Sequence, residues 1–239
     1  SSITKINENH QHDQSVLDTL NAMIIDDFDE LNTTNYKLFK KQYENSVESF
    51  EYQTYLMPFS HRGGIQLEHE TVNILPLRNA EHYLDWIERL SKLEVVIDAE
   101  IEKAKKGIET GTVPPRFLMQ KVFDQIKLQA FVTPETSPFF RAFESMDRSI
   151  SQEDVDAIQA KAKNVIATKV IPAYLKLHQF FEDSYLPACR ISIGIKDINN
   201  GKKYYEYLAR KFTTTTLTPQ EIHNIGLREV ARIKTEMEA

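Results

Sequence analysis

Glycine is scarce in this chain, with seven glycines in 239 residues, where average usage is about 7%. Because glycine supplies many of the tight turns that sheet-rich folds need, this scarcity favours helices. Apolar residues also recur at helical spacing near the start of the chain. They predict a first helix over residues 14–31 and are Val16, Leu17, Leu20, Ile24, Phe28 and Leu31.

Helix boundaries can be read from capping residues and prolines. A helix is predicted from Asn79 to Gly111, and Pro114-Pro115 opens the next. Others are predicted to begin at Ser151, with a kink or break at Pro172, and at the capping box that starts at Thr218. Residues 190–201 alternate β-branched isoleucines and form the sole candidate extended segment.

These patterns predict an all-α fold, a multi-helix array with short irregular connections and at most one minor extended segment. We expect at least two-thirds helix and no sheet of three or more strands. Residues 1–239 are expected to form a single helical domain, the N-terminal portion of a longer protein. The last helix supports that expectation, because its apolar stripe has few obvious upstream partners and runs to the end of the chain.

Charge and composition exclude several classes of function. The formal net charge is −6, and the densest basic run, residues 103–106, has acidic neighbours, so we expect no nucleic-acid partner. No stretch of about 18 apolar residues could span a membrane. The single cysteine, Cys189, excludes an intramolecular disulfide and a multi-cysteine zinc site, and a semi-buried structural thiol is the favoured interpretation.

Sequence signatures of catalysis and metal binding are missing from the chain. It has no glycine-rich phosphate loop, no nucleophile elbow and no His-Glu-x-x-His motif. His178 and Glu182 share a helix face at metal-ligand spacing, but two ligands do not make a site, and a histidine bonded to a neighbouring carboxylate is favoured. We therefore predict no metal ligand and no tight zinc binding.

A tyrosine-rich segment before the threonine run is the one candidate for a binding surface. On a helix, one aromatic side of this segment could pack in the core while another presents hydroxyl groups to a cleft. Core packing and cleft lining both stay open. The predicted cleft-lining residues are Tyr204, Tyr205, Tyr207 and Arg210.

Several segments resemble the bacterial family known as domain of unknown function 885. The most specific matches are YLPACR at 185–190, GKKYYEYLAR at 201–210 and LTPQEIHNIGLREVARI at 217–233. Weaker matches are LRNAEHYLDWIERL at 77–90 and GTVPPR at 111–116. The segments occur in the order expected for the family.

The resemblance implies a large, mainly helical, exported and lipid-anchored protein that is similar to gluzincin-type zinc metallopeptidases. The family's zinc motif, a His-Glu segment with a following Pro-Gly-His, lies downstream of the matching segments. No catalytic residue and no cofactor can therefore be assigned to this chain, and zinc is expected only in a longer full-length protein.

Two functions follow from these features. The first is the N-terminal helical half of a metallopeptidase-like hydrolase, which contributes a wall of a cleft for a peptide substrate. The alternative is a non-enzymatic binding module of the cell envelope. We expect export to the periplasm or attachment through a lipid anchor upstream, and packing of the last helix against missing C-terminal sequence or a second copy.

Overall fold

A computed structural model describes residues 2–238. It is 76% helical, and the residues described contain no strand, which confirms the all-α prediction. The α-helices are α1 (Ile3–Ala22), α2 (Glu30–Glu51), α3 (Ala80–Ser91), α4 (Leu93–Thr110), α5 (Arg116–Ala130), α6 (Arg141–Glu144), α7 (Gln152–Val165), α8 (Ile171–Phe180), α9 (Leu186–Ala188), α10 (Gly201–Thr213) and α11 (Pro219–Glu238). The 3-10 segments are Thr54–Leu56, Ile65–Ile74, Pro138–Phe140 and Ile195–Asp197.

Most of the predicted helix boundaries are confirmed. Asn79, Ser151 and Thr218 cap the starts of α3, α7 and α11, and each side-chain oxygen accepts from a backbone N–H three residues on. Glu221 completes the capping box by accepting from the Thr218 N–H at 2.7 Å. Gly111 ends α4 in the left-handed conformation, with φ of 71°, which glycine adopts without strain.

Two predicted helices are wrong in extent. The helix predicted over 14–31 is split, because α1 ends at Ala22 and Asp29 caps α2 by accepting from the Asn32 N–H at 2.7 Å. The helix predicted from Asn79 to Gly111 is interrupted at Lys92, between α3 and α4. In both cases the apolar spacing happens to continue across the interruption, so periodicity alone could not locate it.

Two prolines, Pro172 and Pro187, each follow a π-helical turn, Ile166–Val170 and Phe181–Tyr185. Proline lacks an N–H and its ring crowds the carbonyl four residues back. A π turn widens the helix there, and the N–H of the residue before each proline bonds five residues back instead. The irregularity predicted at Pro172 is therefore a wide turn, and the helical path continues into α8.

The extended segment predicted at 190–201 has little regular structure. Arg190 forms one isolated parallel bridge with Pro115, and Ile195–Asp197 is a 3-10 turn. Ile191 and Ile193 are 85% and 75% exposed, and no strand among residues 2–238 covers them. The segment is thus minor, as predicted.

Contacts along the chain separate it into two compact units. The first unit comprises Ser1–Ile6 and Tyr55–Ser192, and the second comprises Asn7–Thr54 and Ile193–Ala239. In the first unit α5 and α4 pack against α8, and α3 packs against α7, around buried residues that include Trp86, Tyr174 and Phe181. A single domain over 1–239 stays a prediction.

The second unit is built on the hairpin of α1 and α2 together with α10. The Tyr36 hydroxyl donates to the Leu20 carbonyl at 2.8 Å and ties the hairpin together. Helix α11 has no buried residue among those described. Its most exposed apolar side chains are Val230 at 66% and Met237 at 82%. Among residues 2–238, none of the helices is both long and apolar enough to cross a membrane.

Candidate functional site

The tyrosines predicted to line a cleft are partly packed together in the second unit. Ring centroids of Tyr204 and Tyr207 lie 5.1 and 5.2 Å from that of Tyr52. Tyr207 is buried, and its hydroxyl donates to the Asn45 carbonyl at 2.9 Å. These contacts join α10 to α2, whereas Tyr205 is 53% exposed.

Glu48 connects Arg210 to this cluster. Its carboxylate accepts from Arg210 at 2.6 Å and from the Tyr52 hydroxyl at 2.9 Å. Burial and the neighbouring carboxylate raise the pKa of Tyr52 to about 12. A nearby cavity of about 490 Å³ is lined by Leu38, Lys41, Gln42, Asn45, Ser46, Ser49 and Lys211. Tyr204, Tyr207 and Arg210 thus stabilise the contact of α10 with α2 and Tyr52, and the role of all four predicted residues in a cleft stays a prediction.

His178 and Glu182, the pair at metal-ligand spacing, do not bind each other in the structure. His178 Nδ1 lies 3.9 Å from Glu182 Oε2, beyond hydrogen-bond distance, and its ring packs against Phe123 and Phe131 with centroids 4.7 and 4.8 Å away. No group of three His, Cys, Asp or Glu side chains is placed to hold a metal ion in the described part of the chain. These residues do not fit a zinc ion.

Cys189 is a buried thiol, 3% exposed, and is thus more deeply buried than the semi-buried thiol that the sequence favoured. Burial raises its pKa to about 12, although Arg116 and Arg190 oppose the shift. The thiol therefore stays protonated in the native protein. An unfolded thiol has a pKa of about 8.5, so this group favours the folded state below that pH and loses its contribution as the pH rises towards 12.

We expect native Cys189 to resist alkylation by iodoacetamide at about pH 8, because about one thiol in ten thousand is ionised at a pKa near 12. Alkylation in urea should proceed at the rate of an ordinary thiol. Mass spectrometry of both samples tests this expectation. Rapid modification of the native protein would contradict the burial of this side chain.

A groove in the first unit follows one side of α3. It consists of two cavities that share Asp85 and Arg89 in their linings. The larger, about 460 Å³, is lined by Ile65, Glu68, Asp85, Glu88, Arg89, Lys92, Leu93 and Val96. The smaller, about 270 Å³, is lined by Leu75, Pro76, Leu77, His82, Asp85, Trp86 and Arg89. We call the two cavities together the α3 groove.

Helical spacing explains why α3 lines both cavities. His82, Asp85, Trp86 and Arg89 are three or four residues apart and therefore lie along one side of the helix. The Asn79 cap fixes where the helix begins. His82 is oriented by the Arg78 N–H, which donates to its Nδ1 at 3.3 Å, so the neutral ring carries its proton on Nε2.

The charged groups of the α3 groove are mostly paired. Two nitrogens of Arg89 donate to Glu68 Oε1, at 2.7 and 3.0 Å, and Lys92 donates to Glu88 at 2.7 Å. No ion pair or hydrogen bond joins the Asp85 carboxylate to another residue within 2–238. The groove therefore offers one unpaired carboxylate beside apolar and aromatic walls.

Trp86 also leaves a polar group without a partner. The side chain is 2% exposed, and within the described residues no acceptor faces its buried Nε1–H. A buried indole N–H can only donate, and such groups are usually satisfied by protein, water or ligand. The same side chain lines the smaller cavity of the α3 groove.

Sequence reasoning missed this groove. Its α3 residues fall within the segment 77–90, which carried a weaker family match. The signal that could have drawn attention to it is the only tryptophan of the chain, next to a carboxylate and one turn from His82 and Arg89. From the sequence, the apolar spacing of this segment predicts only a helix. In the structure Trp86 belongs to the hydrophobic core as well as to the groove.

Comparisons with known proteins agree on the family and the fold. The model of the family DUF885, described as bacterial protein of unknown function, matches residues 2–239. No curated protein matches the sequence significantly. One similar solved structure, named as "the putative lipoprotein from Colwellia psychrerythraea", superposes with a TM-score of 0.81 at 21% identity over 99% of this chain. The chain spans 43% of that protein's length.

Proposed function

The chain belongs to the bacterial protein family of unknown function DUF885, and on that premise we propose that it forms the helical, substrate-binding part of an exported hydrolase that resembles metallopeptidases. The α3 groove binds a peptide and contributes one wall of the cleft. No catalytic residue is assigned to this chain. The observation that carries the proposal is the groove itself, in which apolar walls and an unpaired carboxylate lie beside a buried indole N–H without an acceptor.

Groove shape and chemistry favour an extended peptide as the ligand. The two cavities adjoin each other, so a chain that enters one can continue into the next. Ligand sites are typically concave, mainly apolar and provided with a few polar groups that fix orientation. The α3 groove has these features, whereas the tyrosine cluster of α10 is already occupied by its contacts with α2.

Intrinsic fluorescence tests the proposal, because Trp86 is the only tryptophan and lines the groove. We expect a saturable change in its emission when a pentapeptide of one leucine followed by four alanines is added. Val96→Phe should weaken binding about fivefold or more, since the larger ring projects into the cavity of about 460 Å³ that Val96 lines and obstructs it. Val95→Phe is the matched control, because Val95 is 72% exposed and lies outside that lining.

Two outcomes would contradict binding in the groove. One is the absence of any saturable change with the wild-type chain, and the other is an equal affinity of the Val95→Phe and Val96→Phe variants.

Peptide cleavage decides between the two functions predicted from the sequence. Cleavage by the natural full-length protein supports the hydrolase, whereas binding without cleavage supports a binding module of the cell envelope.

Export and a lipid anchor are part of the same proposal. They are supported by the name of the Colwellia psychrerythraea protein, which shares the fold at 21% identity. Fractionation of cells that express the natural gene, with radiolabelled palmitate, tests both points. Unlabelled protein in the cytoplasmic fraction would overturn them.

A further inference from the structure

We propose that the smaller cavity of the α3 groove binds the first residue of a peptide, with the free α-ammonium group on Asp85 and an apolar side chain beside Trp86. This inference rests on the proposed function and specifies its ligand. The smaller cavity thus holds the amino terminus of a peptide whose first residue is apolar. The remaining residues of the peptide lie in the larger cavity.

The charges of the groove favour a cationic group at Asp85. Three carboxylates and two basic side chains line the larger cavity, and the two basic groups are bound to Glu68 and Glu88. Asp85 is left without a partner among the described residues, and it is the carboxylate that both cavities share. A ligand ammonium group at this junction would complete the pairing.

The size and walls of the smaller cavity favour an N-terminal residue over a lysine side chain. The cavity has about 270 Å³ and apolar walls from Leu75, Pro76 and Leu77. An ammonium group on Asp85 must therefore lie within a few bonds of an apolar group that fills this space. The first residue of a peptide such as leucine meets that requirement, whereas a lysine carries its ammonium group at the end of its own chain.

The unpaired donor of Trp86 is consistent with the same ligand. Its Nε1–H is buried without an acceptor, and Trp86 lines the smaller cavity. A peptide bound by its first residue brings a backbone carbonyl oxygen close to its ammonium group. A hydrogen bond from the indole N–H to that oxygen requires a movement of the Trp86 side chain, because Nε1 is shielded from solvent in the free protein.

Trp86 fluorescence with matched ligands tests the inference in the intact chain. The ligands are the leucine-led pentapeptide with a free amino group, the same peptide acetylated at its amino terminus, and free leucine. We expect acetylation to weaken binding about fivefold to tenfold, because it removes the charge that pairs with Asp85. Free leucine should bind more weakly than the pentapeptide, because it leaves the larger cavity empty.

Variants separate the role of Asp85 from general changes in the helix. Asp85→Asn should abolish the preference for the free amino group, while both peptides still bind. Asp85 is exposed, so this change should leave the fold intact, as thermal melts can verify. Glu81→Gln is the control, because Glu81 lies on the same helix outside both linings and should keep the full preference.

The outcomes distinguish this inference from the proposed function. Equal binding of free and acetylated peptides, still weakened by Val96→Phe, would overturn the inference and leave the groove as a peptide site. Equal binding of free leucine and the pentapeptide would overturn the inference as well, since the ligand would then be an amino acid. No binding of any of the three ligands would overturn both proposals.

Discussion

Replacing Gly201 by alanine is expected to destabilise the second unit by about 2–3 kcal/mol, at the upper end of the usual cost of overpacking. A Cβ atom at this position would lie 2.1 Å from the Ile195 carbonyl oxygen and 2.7 Å from the Lys196 carbonyl carbon. Both neighbours are backbone atoms of the 3-10 turn that packs against the start of α10, so neither can rotate away. Urea unfolding followed by far-UV circular dichroism measures the loss.

Replacing Gly226 by alanine should instead increase the stability of the protein. Gly226 lies inside α11, and an added Cβ would meet no heavy atom within 4 Å. Alanine is favoured over glycine in a helix interior by about 0.5–1 kcal/mol, so Gly226→Ala should stabilise the helix. If the Gly201→Ala and Gly226→Ala variants were equally stable, the backbone of Ile195 and Lys196 could not lie as close to Gly201 as the structure shows.

The helical fold was largely predictable because its determinants are local. Asn79, Ser151 and Thr218 each offer a side-chain oxygen to amides three residues on, an interaction that depends only on adjacent sequence. Gly111 ends its helix for the same local reason. The interruptions at residues 23–29 and at Lys92 were missed because the apolar spacing is continuous across them.

The groove was not predictable because its two sides come from segments that are distant in sequence. Ile65 and Glu68 lie in a 3-10 segment, and Arg89 meets Glu68 across 21 residues. No spacing rule connects those positions. The tyrosine segment attracted attention because its residues are adjacent in sequence, yet Tyr207 is buried against α2 by a contact that spans 162 residues.

Replacing Tyr174 by phenylalanine is expected to cost about 1–3 kcal/mol, because it removes a buried hydrogen bond and leaves its acceptor without a partner. The Tyr174 hydroxyl donates to the Ile65 carbonyl at 2.5 Å, and the side chain is fully buried. Ile65 lines the larger cavity, so this bond also positions one wall of the α3 groove. Trp86 emission during urea unfolding measures the loss in the first unit.

Tyr185→Phe is the matched control, and we expect it not to reduce the stability of the protein. Tyr185 is as buried as Tyr174, but its hydroxyl has no hydrogen-bond partner among residues 2–238. Burial raises the pKa of both tyrosines, so the two hydroxyls are neutral and differ only in whether an acceptor is present. Removing the unsatisfied hydroxyl should therefore leave stability unchanged or raise it by up to about 1 kcal/mol. Equal destabilisation by the two variants would mean that the hydrogen bond from Tyr174 to the Ile65 carbonyl contributes nothing to stability. Apolar packing alone would then hold that wall of the groove in place.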